Sequence, residues 1–87
     1  MLLHLGGGFS VDSGRIVLLS DLKKPPAAAT RALTERLEKQ GRVRRLPGRA
    51  ATLILCEEEG RLYGIYSPIG LRTLRERAAS PLTRLDP

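Results

Sequence analysis

The chain is 87 residues long, carries 15 Lys and Arg against 9 Asp and Glu for a net charge of +6, and has only three aromatic residues, Phe9, Tyr63 and Tyr66. One cysteine excludes an internal disulfide, no apolar stretch approaches membrane-spanning length, and MLLHLGGG lacks the basic start of a secretory signal. These features predict one cytoplasmic domain over residues 1–79 with a flexible tail over 80–87, and a thin aliphatic core that association between subunits would help to stabilise.

Residues 1–5 read as a first strand, stopped by Gly6, Gly7 and Gly8. Phe9-Ser10-Val11 alternates as a second strand, and Asp12-Ser13-Gly14 supplies a turn. Residues 15–22 contain Ile16, Val17, Leu18 and Leu19 without interruption, the mark of a strand covered on both faces by its own subunit or by a neighbour. Pro25-Pro26 ends that pattern. Residues 27–40 form the best helix, with Ala29, Leu33 and Leu37 on one face, a Glu35–Lys39 pair exposed, and Gly41 as the stop. A short strand over 43–46, a Pro47-Gly48 turn and a strong strand over 51–56 follow. Residues 57–60 are an acidic turn, 62–66 the returning hairpin partner with Gly64 a candidate bulge, and 70–79 a short helix carrying Leu71 and Leu74. The expected fold is α+β: a small twisted, mainly antiparallel sheet in the order β-β-β-α-β-β-β-α, with one main helix and a short C-terminal one.

No catalytic site emerges. His4 lies among apolar neighbours and reads as a packed or partly exposed histidine. Glu57-Glu58-Glu59 could suggest a divalent cation, but three adjacent residues in a tight turn point different ways, so a solvated hairpin tip is the better reading. Cys56 reads as a small buried hydrophobe. The three glycines lack the following helix that a phosphate loop requires. No enzyme, metal or cofactor is expected.

The informative stretch is basic. Arg42, Arg44, Arg45 and Arg49 fall within eight residues, with no acid between Glu38 and Glu57. A loop between a helix and a strand can present guanidinium groups at fixed spacing, which suits phosphate oxygens. Arg15 also opens a strand after a glycine turn. Few aromatics argue against stacking on single strands or RNA, so duplex DNA gripped through its phosphates fits better.

MLLHLGGGFSV, GRIVLLSDL, the helix ending in QGRV, and YSPIGLRTLRER together resemble the extracellular-matrix regulatory protein family, RemA and RemB, over about residues 1–78. The opening and Ser67-Pro68 before the last helix bring the chain closer to the RemB-like branch. The resemblance implies a bacterial DNA-binding transcription regulator that assembles into rings and activates biofilm-matrix genes. It also implies DNA contacts at Arg15 and at Arg49, while Ala50 departs from the RemA pattern of a second consecutive arginine; Arg44 and Arg45 would compensate.

The expectation is thus a homo-oligomeric ring that binds duplex DNA through Arg15 and Arg49, with Arg45, Arg44 and Arg42 enlarging the electrostatic footprint, and with no membrane or small-molecule substrate. The alternative is a non-enzymatic interaction oligomer whose basic loop forms a subunit or partner interface. An RNA-binding module is a further rival.

Overall fold

In the computed structural model, which describes residues 1–79, Gly6, Gly7 and Gly8 all take positive φ (107°, 59° and 74°), a conformation that L side chains resist. The chain therefore reverses between β1 (Leu2–Gly6) and β2 (Phe9–Asp12), an antiparallel ribbon with a register shift between His4 and Gly6. A 3-10 turn, Ser13–Arg15, is capped by the Asp12 carboxylate, which accepts the Gly14 N–H at 3.0 Å. It delivers the chain into β3 (Ile16–Asp21).

The helix α1 (Ala28–Lys39) begins two residues after Pro26 and ends in a Schellman closure. Gly41 has φ +71°, the Gly41 N–H donates to the Glu38 carbonyl at 3.1 Å, and the Arg42 N–H to that of Leu37 at 2.9 Å. Leu37 of the expected stripe is buried and Leu33 half-buried. Ala29 is exposed, and Thr34 takes the second buried position by donating its hydroxyl to the Thr30 carbonyl at 2.7 Å. No Glu35–Lys39 ion pair forms among the described residues; both side chains sit in solvent, where such a pair adds little.

β4 (Val43–Arg45), β5 (Thr52–Glu58), β6 (Arg61–Ser67) and α2 (Leu71–Ala78) complete the fold. The architecture is α+β, but the strands divide into two sheets: β1–β2, and a four-stranded sheet ordered β3-β5-β6-β4. In the larger sheet β4 runs parallel to β6, so it is mixed. β4 enters beside the start of β6, where the Gly64 N–H donates to the Arg42 carbonyl at 2.9 Å, and β5 carries the chain back between the two. The β5–β6 hairpin turns on Glu59 and Gly60, both at positive φ (53° and 76°), the conformation that matches strand twist. Gly64 is not a bulge: β5 and β6 stay in register through Leu55↔Gly64, where a Cβ would meet Leu53, Leu55 and Val43 side chains at 3.6–3.7 Å. The irregularity lies in β3, between Ile16 and Leu18.

Strand alternation sends Ile54, Cys56 and Ile65 to one face, where they pack with Leu3, Leu5 and Val11 of the ribbon, Leu46, and Leu74 of α2. Burying each such side chain stabilises the fold by roughly 1.5–3 kcal/mol. Leu53 falls on the other face with its pair partner Tyr66, the side on which Glu38 of α1 reaches Arg45. Buried polar atoms are satisfied: Ser67 Oγ donates to the Leu5 carbonyl at 2.6 Å and accepts the Ile69 N–H, while Thr52 Oγ1 donates to the Ile69 carbonyl at 2.8 Å. These bonds pin the corner that leads into α2. β3, expected to be covered by its own subunit or by a neighbour, is an edge strand on which Val17 is 60% and Leu18 41% exposed. This subunit does not cover them.

Candidate nucleic-acid interface

The five arginines do not converge on one spot within a subunit. Arg15 ends the 3-10 turn, and its guanidinium lies 2.8 Å from Glu58 at the hairpin end of the sheet. That hydrogen bond, then the carboxylate's charge, raises the Arg15 pKa above its ordinary value. Glu58 is therefore held in an ion pair rather than solvated at the tip, because β3 and β5 pair antiparallel and bring residue 15 beside the end of β5. Glu57 and Glu59 are exposed as expected.

Arg42 is half-buried and donates its Nε–H to the Leu62 carbonyl at 2.8 Å. Arg44 and Arg45 are adjacent in β4, so strand alternation sends them to opposite faces. Arg44 lies over the Phe9 ring at 4.8 Å from its centroid. Arg45 lies over Tyr66 at 4.2 Å and bonds Glu38 at 2.6 Å. Of the five, only Arg49 makes no hydrogen bond, ion pair or ring contact among the described residues. It is exposed in the β4–β5 connection and lines a shallow cavity of about 290 Å³ with Lys23.

Arg15 and Arg49 sit at opposite ends of the sheet. Asp21, at the far end of β3, pairs with Thr52, three residues after Arg49, whereas Ile16, next to Arg15, pairs with Cys56. Six strand residues separate the two ends, about 20 Å at 3.3 Å per residue.

No protein-family model and no curated protein matches the chain, so the likeness to RemA and RemB rests on the quoted motifs.

The sequence reading missed Lys23 as a neighbour of Arg49, and missed the rings that hold Arg44 and Arg45. It also passed over Arg72, Arg75 and Arg77 on α2, although LRTLRER shows three arginines in seven residues. Arg72 is held by Glu76 at 3.5 Å, and Arg77 donates to the His4 carbonyl at 2.9 Å. His4 is exposed, with Nδ1 3.1 Å from Ser10 Oγ. Cys56 is fully buried, and burial pushes its thiol pKa up; the neighbouring Tyr63 is raised first by its own burial and then by Cys56. Among the described residues no group of three or more His, Cys, Asp and Glu could hold a metal ion, and no helix is long and apolar enough to cross a membrane.

Proposed function

We propose that this chain is a cytoplasmic bacterial DNA-binding transcription regulator of the RemA/RemB kind, non-enzymatic, homo-oligomeric and ring-forming, acting on genes such as those for the biofilm matrix. The observation that carries the reading is Arg49: an exposed guanidinium without a partner among the described residues, beside Lys23, at one end of the sheet. Such a group is free to take a phosphate without first breaking a bond of its own. Arg15 is the second clamp, and its exposed pair with Glu58 is weak enough to yield to a phosphate. Arg45, Arg44 and Arg42 raise the local potential around them. Specificity comes from duplex shape, because α1 presents Glu35 to solvent alongside its basic residues and commits Glu38 to Arg45, which is unsuited to a major groove.

Assembly supports the grip. With Arg15 and Arg49 at opposite ends of β3, side-by-side repetition through that edge strand would line up Arg49 of successive copies along one rim and Arg15 along the other. Repetition also multiplies weak contacts by avidity. Exposed Val17 and Leu18 on the edge strand between those ends are the surface that association would cover. The same two side chains favour the alternative, an interaction oligomer that binds no DNA.

Duplex binding is expected to weaken steeply with salt, and light scattering with and without duplex reads the assembly. Arg49→Ala is expected to lower duplex affinity about tenfold and reduce the salt slope by about one, with oligomer size unchanged. A flat salt titration would remove the phosphate mechanism. Collapse of Arg49→Ala to monomers would make Arg49 an interface residue.

A further inference from the structure

A wide-open groove of about 440 Å³ lies over β4 and the start of β6. Arg42 and Arg44 line it, together with Phe9, Tyr63, Glu58 and the backbone at Gly64. We infer that this groove binds a free nucleoside monophosphate, with the phosphate on Arg42 and the base stacked against the Arg44–Phe9 pair.

Three observations select that chemistry. First, the groove holds two guanidinium groups that make no ion pair among the described residues, while its one carboxylate, Glu58, is already neutralised by Arg15 at 2.8 Å. The local balance is positive, and an anion is the complementary charge. Second, Arg42 is half-buried and its Nε is fixed by the Leu62 carbonyl. A guanidinium so oriented keeps its Nη donors for a ligand, and a phosphate takes them in pairs. Third, the Arg44 guanidinium lies over the Phe9 ring, 4.8 Å from its centroid, and a ligand with its own ring can stack on that pair. Glu58 adds an acceptor for a sugar hydroxyl or a base amino group. Duplex DNA offers no free base face, so the ligand is a mononucleotide rather than the helix.

The test is calorimetry on the full chain with AMP and GMP, against adenosine and inorganic phosphate. Every arm omits nucleic acid, so the result stands apart from duplex binding. A saturable heat is expected with at least one nucleotide, about tenfold tighter than with phosphate or nucleoside alone. Arg44→Gln, on an exposed strand position, is expected to weaken it by about tenfold, whereas Arg75→Gln, which removes an equal charge from α2, leaves it within about twofold. Amide NMR shifts in the unsubstituted protein are expected at Arg42 and Gly64, which reports the site without any variant. No saturable heat at millimolar nucleotide, phosphate binding as tightly as nucleotide, equal losses in both variants, or shifts confined to other residues would each overturn the assignment.

Discussion

The two ends of the central sheet both carry cations and use them differently. At the hairpin end Arg15 is held by Glu58, Arg42 by the Leu62 carbonyl and Arg44 by the Phe9 ring. At the loop end Arg49 has no such partner, and Lys23 lies beside it. A sequence counts cations, but the fold settles which of them are still available to a second molecule. Part of the hairpin end's positive charge therefore serves the subunit's own structure; toward the loop end Arg45 does the same through Glu38 and Tyr66, while Arg49 faces outward.

The largest effect tests whether the two ends share one core. Ile54 pairs with Leu19 on one side and Ile65 on the other and is fully buried. Ile54→Ala is expected to cost about 2–5 kcal/mol in urea unfolding, in a single transition. Two separate transitions would show that the ends melt independently. Arg42→Gln comes next: it leaves the Leu62 carbonyl without its donor and is expected to cost about 1 kcal/mol, placing Arg42 on the structural side of the comparison. Arg49→Ala is expected to change stability by no more than about 0.5 kcal/mol, although duplex affinity falls. If Arg49→Ala destabilised as much as Arg42→Gln, the contrast between the ends would be gone.

A pH series sharpens the same comparison at the hairpin end. Burial raises the Cys56 thiol above its ordinary 9.0, so the native state keeps the proton while the unfolded chain releases it. The contribution is fully present below pH 9.0 and is lost as pH rises toward the raised folded value. Stability is thus expected to fall on the alkaline side, and Cys56→Ala to flatten that decline relative to the parent, read from denaturation midpoints between neutral and alkaline pH.

Much of the chain was legible because local chemistry dictated it. Gly41 could end α1 because it alone takes φ +71° without strain, and the helix falls within one residue of its expected limits at each end. The buried thiol followed from its place in an apolar strand. Gly64 misled, because a glycine in a strand can signal a bulge, and only the pairing with β5, which stays in register through Leu55↔Gly64, shows that there is none. β3 shows a related limit: four consecutive apolar residues indicate a covered strand without saying which molecule covers it.

The candidate site divides in the same way. The arginine cluster and its position between a helix and a strand were visible in the residue order. The division of Arg44 from Arg45, the separation of Arg15 from Arg49 and the capture of Arg15 by Glu58 were not, since each depends on how distant strands pair. The expected tail over residues 80–87 lies outside the described residues.

The sequence by itself determined the elements, the reversal points and an excess of positive charge, because propensity, glycine geometry and net charge are properties of short stretches. Tertiary structure alone decided that the strands split into two sheets, that β4 runs parallel to β6, and that Arg49 has no partner among the described residues while Arg15, Arg42, Arg44 and Arg45 each have one. Those outcomes turn on contacts between residues as far apart as Arg15 and Glu58, whose distance is fixed by strand register and packing.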